Sequence, residues 1–174
     1  MDTEGTLAPS TPAEARAEYE TLVPAAKVAV RETAKAMEFD AEEYAERVTG
    51  EVIESVRDAL FASLLRVHVG TRAEYEAWLD DHPEYEPDPA GSDDVDNVVW
   101  HPVPFGGDES EGGSPPVVAA TWQAEREAAL GTLRRQAFGR AYREHLTDGS
   151  GGDATDRGGD ANVAGDADQD GDET

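Results

Sequence analysis

The chain has 174 residues, no cysteine, and a formal net charge of −25, from 39 acids against 14 bases of which 12 are Arg and only two are Lys. This excludes disulfides, thiolate nucleophiles and Cys-ligated zinc, and no apolar run approaches the roughly 20 residues of a membrane helix. At ordinary ionic strength the Debye length is about 8 Å and so much like charge destabilises a compact domain; at about 1 M salt it falls to roughly 3 Å, so the chain reads as an acidic, halophilic protein of a salt-rich cytoplasm.

The start, Met1 to Thr6, has neither the basic residues nor the apolar stretch of a secretion signal. Helices are predicted near 12–22, 25–37, 41–48, 51–68 and 72–80. Thr11-Pro12-Ala13-Glu14 has the spacing of a capping box with proline at the first helical position. Asp40 to Glu43 repeats it with an acid at the cap and Thr71 to Glu74 with threonine, while Phe39 and Tyr44 are placed as a hydrophobic staple. Gly50 and Gly70 mark breaks. In 51–68 the residues Val52, Ile53, Val56, Leu60 and Leu64 spread over a broad arc, widened by Phe61 and Leu65. So apolar a helix is expected to be the central one, with Leu60 and Leu64 in the core.

Two polar, acidic stretches rich in Gly and Pro, 82–94 and 106–116, read as loops. From Ala73 to Glu125 there are 14 acids and no Lys or Arg, so this third of the chain repels polyanions. Between and after these loops, 95–100 and 116–122 are short, β-branched and aromatic, which predicts a two-stranded sheet with a long connection. A last helix near 123–146 sets Leu130, Leu133, Ala137, Phe138, Ala141 and Tyr142 at helical spacing. Residues 147–174 hold nine acids, one Arg and a single Val, a local charge of −8 that leaves −17 on the rest. Such a segment has too little to bury and is expected to be disordered. Its end, Asp166 to Thr174, matches half a calcium loop but stops before the bidentate position, so no metal site is expected there. The fold class is therefore a single, mainly helical α+β domain over 5–146, with about six helices, a short two-stranded sheet and an acidic tail.

Sequence motifs for phosphate loops, nucleophile elbows and helical zinc sites are lacking, and no cofactor is implied. His68, His82, His101 and His145 each sit alone, too far apart for a local metal motif. Arg134 falls inside the apolar stripe of the last helix, between Leu130 and Phe138. It is expected either to snorkel over the core or to bind an anionic group of a ligand or partner. The same helix carries Arg126, Arg135, Arg140 and Arg143, the cations available for nucleic acid, although they scatter round the wheel. Trp100, His101 and Trp122 on the strands are candidates for a ligand or partner contact, or for a small hydrolytic pocket centred on His101.

Gly5-Thr6-Leu7-Ala8-Pro9, Val30 to Met37, Val48-Thr49-Gly50-Glu51-Val52, Asp58 to Leu65 and Val67 to Thr71, taken in that order, resemble a haloarchaeal family, domain of unknown function 5809, over roughly 5–146. The resemblance agrees with a salt-rich cytoplasm and implies no activity, cofactor or catalytic residue. The leading expectation is a non-enzymatic accessory protein that binds another protein through an exposed helical face or the Trp-bearing strands. A DNA-associated regulator using the Arg-rich helix is the alternative, with nucleic acid the less favoured partner, and a small enzyme is third.

Overall fold

A computed structural model describes residues 1–92, 94–105 and 113–147. The expected acidic tail, its half calcium loop and most of the second acidic loop lie outside the described residues.

The sheet is larger than the sequence pattern predicts. Five strands, β1 (Asp2–Glu4), β2 (Val67–Thr71), β3 (Glu86–Ala90), β4 (Asn97–Pro102) and β5 (Pro116–Trp122), pair in the order β1-β2-β4-β5-β3. All pairs are antiparallel except β3 with β5. The predicted pair is the β4–β5 centre of this mixed sheet, and three strands are added round it. The first, β2, occupies what was expected to be the end of the 51–68 helix. That helix stops at Leu64, whose carbonyl accepts the N–H groups of Thr6 and Leu7 at 2.9 Å each, and Val67 and Val69 then alternate with His68 as a strand. Close approach of the N-terminal segment requires Gly5: its φ is +101°, and a Cβ there would sit 2.3 Å from the Leu65 carbonyl oxygen.

The second addition, β3, lies within the expected loop 82–94. Its prolines discourage a strand assignment, yet they are compatible with a sheet edge. Glu86 donates its N–H to the Pro115 carbonyl at 2.9 Å, so by alternation Pro87 and Pro89 turn their nitrogens to the open side, where no donor is needed. The third, β1, is only three residues long and pairs with β2.

Seven α-helical segments are described in place of about six: α1 (Pro12–Thr21), α2 (Val23–Ala36), α3 (Ala41–Arg47), α4 (Gly50–Leu64), α5 (Arg72–Asp81), α6 (Arg126–Ala137) and α7 (Arg143–Thr147). A π turn over Phe138–Tyr142 joins α6 to α7, so the predicted last helix is one rod in three segments. The caps are where the sequence sets them. Thr11 accepts from the Glu14 N–H at 3.1 Å, but the expected box there is not closed, because the Glu14 carboxylate accepts from the Ser10 N–H at 2.8 Å; both Asp40 with Glu43 and Thr71 with Glu74 form reciprocal boxes. Each is worth about 1 kcal/mol.

The sheet separates two apolar layers. On one face Val67, Val69, Val99, Val118 and Ala120 meet Ala15 and Tyr19 of α1, Phe61 of α4, and Leu130, Leu133, Phe138 and Tyr142 of the rod. Phe61 contacts the rings of Tyr19, Phe138 and Tyr142 at centroid distances of 5.7, 6.0 and 5.4 Å. On the other face Val98, Trp100, Val117 and Ala119 pack under Tyr75, Trp78 and Leu79 of α5. The expectation of a central 51–68 helix is overturned: Leu60 and Leu64 are only half-buried, whereas the rod buries seven apolar residues from Leu130 to Leu146. The rod lies directly across β4 and β5, and α4 reaches the core only with its C-terminal end.

Candidate functional site: the strand pair and the groove beside Trp122

Alternation along β4 sends Trp100 and His101 to opposite faces. Trp100 has no exposed surface and stacks on His68 beneath α5, at 5.3 Å between ring centroids. His101 points the other way, into the helical layer, and is 2% exposed. Its Nδ1–H donates to the Arg66 carbonyl at 2.6 Å, which leaves Nε2 to accept the Tyr142 hydroxyl at 2.8 Å. Loss of hydration on burial pushes its pKa down to about 4, and the nearby His68 and Arg134 act in the same direction. Burial likewise pushes the Tyr142 hydroxyl well above the ordinary tyrosine value. His101 is thus a neutral, doubly bonded core residue at physiological pH.

The small cleft that reaches His101, about 160 Å³, is lined by Ala8, Pro9, Arg66, His68, Pro102 and Pro104, with no carboxylate among the described residues. Among the described residues no group of three His, Asp or Glu side chains is placed to hold a metal.

Trp122 sits four residues beyond the β5 partner of His101, Val118, which is about 13 Å along the strand. The structure therefore does not bring Trp100, His101 and Trp122 together. Trp122 instead borders an open groove of about 580 Å³ between the carboxyl ends of β3 and β5 and the flank of α6. Its walls are small: Ala90, Gly91, Ala120, Ala124, Ala128 and Ala129, with Thr121, Thr132 and Gln136. Gly91 makes the strand end fit. Its φ is +118°, a Cβ would fall 2.0 Å from Thr121 Oγ1, and the following Ser92 N–H bonds that same oxygen at 3.1 Å. Trp122 and Gln136 both line this groove, and Trp122 Nε1 and Gln136 Oε1 are among the buried side-chain atoms of the described residues that have no hydrogen-bond partner. A buried polar atom left in that state costs about 1–3 kcal/mol, which a ligand recovers only if the side chain turns to meet it.

Residues 6–143 match the sequence model of a family of unknown function, DUF5809. The chain belongs to DUF5809. No curated protein and no solved structure matches it. The match covers both the strand pair and the groove of this DUF5809 chain, and it reaches to within four residues of the end of the rod.

The five arginines of the rod divide. Arg134 is half-buried, and its Nε–H donates to the Leu65 carbonyl at 3.0 Å, so its stem covers core while its head closes the end of α4. Arg126 pairs with Glu4 of β1 and with Glu127, the latter at 3.1 Å; Arg140 pairs with Asp88 of β3. Arg135 is exposed and bonds Thr132 Oγ1 at 3.2 Å, and the Arg143 guanidinium lies 5.6 Å from the Phe138 ring centroid. Three of these contacts tie the rod to β1, β3 and α4.

Gln136, Ala128 and Gly91 escaped the sequence reading. The available signal was weak: a glutamine between Leu133 and Ala137 in an apolar stripe, and a glycine after a Pro-rich acidic run.

Proposed function

We propose that this DUF5809 chain is a non-enzymatic, salt-adapted cytoplasmic accessory protein that grips an uncharged, extended segment of another protein in the groove beside Trp122. The observation that carries the reading is the pair of unpartnered polar atoms there. Turned into the groove, the Trp122 donor and the Gln136 acceptor would complement the C=O and N–H of a partner's backbone, and the small walls leave room for the chain. Only Glu125 among the lining residues is charged, which favours a neutral segment over a phosphate backbone. The DNA-associated alternative draws less support because Arg126 and Arg140 are already ion-paired within the chain. An enzymatic role draws less because both ring nitrogens of His101 are engaged. No helix among the described residues is long and apolar enough to cross a membrane.

The test is capture from cells at native salt with the tagged full chain, its Ala128→Arg variant and an Arg135→Ala control. Ala128 is exposed and faces the groove, so the arginine fills it without disturbing the core. A protein retained by wild type and control, and lost with Ala128→Arg, is the expected result. Retention unaffected by Ala128→Arg, or loss on removing Arg135 with co-purifying DNA, overturns the reading.

A further inference from the structure

The α2–α4 arm presents a second surface with a different chemistry. α2 packs on α4 and α1, and α3 buries none of its residues. Among the described residues five large hydrophobic side chains are exposed, and three of them, Met37, Tyr44 and Val52, at 59, 36 and 39%, are on this side of the arm, while Val28 faces away round α2. Together the three helices line a mainly apolar groove of about 170 Å³, formed by Val30, Ala34, Phe39, Val48 and Val56 with Thr33, Arg47 and the exposed Met37 and Val52. A hole of that size suits one large apolar side chain, and the flexible Met37 stands beside it.

Charge is divided across the same surface. On α2, Lys27, Arg31 and Lys35 follow one another at four-residue spacing and are all exposed; Arg31 and Lys35 share the single acid Glu32, at 3.4 and 2.8 Å, which leaves the row net cationic. Both lysines of the chain are in this row. Asp40 and α3 bring Asp40, Glu42, Glu43 and Glu46 against Arg47. A cationic helix thus adjoins an acidic one, on a protein that elsewhere has a stretch of 14 acids without a base.

We propose that this face joins two copies of the chain about a two-fold axis, with Met37 of each copy seated in the groove of the other and α2 of each against α3 of its mate. A two-fold interface uses the same patch on both subunits and must therefore be self-complementary. Here one patch supplies both the apolar knob and the hole, and both signs of charge. A purely acidic or purely basic partner would meet one of the two helices with like charge.

Sedimentation equilibrium of the full chain, at the lowest KCl concentration that keeps it folded by circular dichroism, should approach twice the 18.6 kDa chain mass as concentration rises. Met37→Glu and Val52→Glu change exposed positions, so the circular dichroism should hold while the dimer dissociation constant rises at least tenfold. The decisive comparison uses two charge reversals, Lys27→Glu with Lys35→Glu, and Glu42→Lys with Glu46→Lys. Each should associate with itself less tightly than wild type, and the two mixed should pair with each other more tightly than either does alone. A chain that stays monomeric at every concentration, a dimer indifferent to Met37→Glu, or reversed variants that gain nothing on mixing would each overturn the proposal.

Discussion

α4 and the rod formed by α6, the π turn and α7 make an instructive pair, because the more apolar of the two is the less buried. α4 carries Val52, Ile53, Val56, Leu60, Phe61, Leu64 and flanking Leu65, yet within the helix only Phe61 and Ala62 are buried. The rod interleaves its apolar positions with Arg126, Arg134, Arg135, Arg140 and Arg143 and buries Leu130, Leu133, Ala137, Phe138, Ala141, Tyr142 and Leu146. A helix that lies along a sheet needs one narrow apolar stripe and can be highly charged elsewhere. One that touches the core by its end, and otherwise packs on other helices, needs a broad stripe and still leaves part of it in water. Part of the surplus on α4, Val52 and Val56, lines the arm groove.

The largest expected effect breaks this comparison directly. Leu133→Ala, at a site with no exposed surface, should cost roughly 2–5 kcal/mol in urea unfolding, whereas half-buried Leu60→Ala should cost about half as much. Equal losses would return α4 to the centre of the core.

His101 sharpens it, since the π turn of the rod holds the histidine through Tyr142. A pKa lowered from 6.5 to about 4 in the fold means that the neutral form is the one stabilised. That stability is whole above the unfolded-state pKa and is lost as pH falls from 6.5 towards 4. Relative to His101→Gln, wild type should lose on the order of 3 kcal/mol over that interval. Parallel pH profiles for the two proteins would show that the histidine is not held neutral. Comparing the pair cancels the carboxylates, whose protonation relieves repulsion in both.

Screening acts on both helices alike. With −17 on residues 1–146, the midpoint of thermal unfolding should rise by at least about 4 °C, near 1 kcal/mol, between low and molar KCl. A flat response would remove the argument from charge.

Two smaller effects probe the helix ends. Glu38 follows α2 at φ +58°, and its N–H and that of Phe39 return to the carbonyls of Lys35 and Ala34 at 3.0 and 3.1 Å. This is a Schellman ending with the wrong residue in the left-handed position, so Glu38→Gly should stabilise by about 1 kcal/mol. At the other end of the arm, Arg134→Ala removes the donor that satisfies the Leu65 carbonyl and should cost about 1 kcal/mol; a loss of several would reveal a buried ion pair instead.

Three helix starts were legible in the residues themselves, whereas the Thr49 cap of α4 was not, its Gly50 having the look of a break. Thr11, Asp40 and Thr71 start helices because a short oxygen-bearing side chain followed three residues later by Glu satisfies free N–H groups wherever the rest of the chain goes. The span of β5, Pro116–Trp122, and the membership of DUF5809 are of the same kind, since each depends on a contiguous run or an ordered set of motifs. Tertiary contact decided the rest. Val67–Thr71 continues an apolar helical pattern until Thr6 and Leu7 claim the carbonyl of Leu64, and Pro87 and Pro89 belong to a strand only because they fall at an edge. The groove beside Trp122 joins residues from 90 to 136 that share no pattern, and the neutrality of His101 comes from its burial between segments that meet only in the fold, its ring bonded to Arg66 and Tyr142, 35 and 41 residues away. Hydrogen bonds and close contacts between distant segments are set by the path of the backbone, and periodicity within a window carries no record of that path.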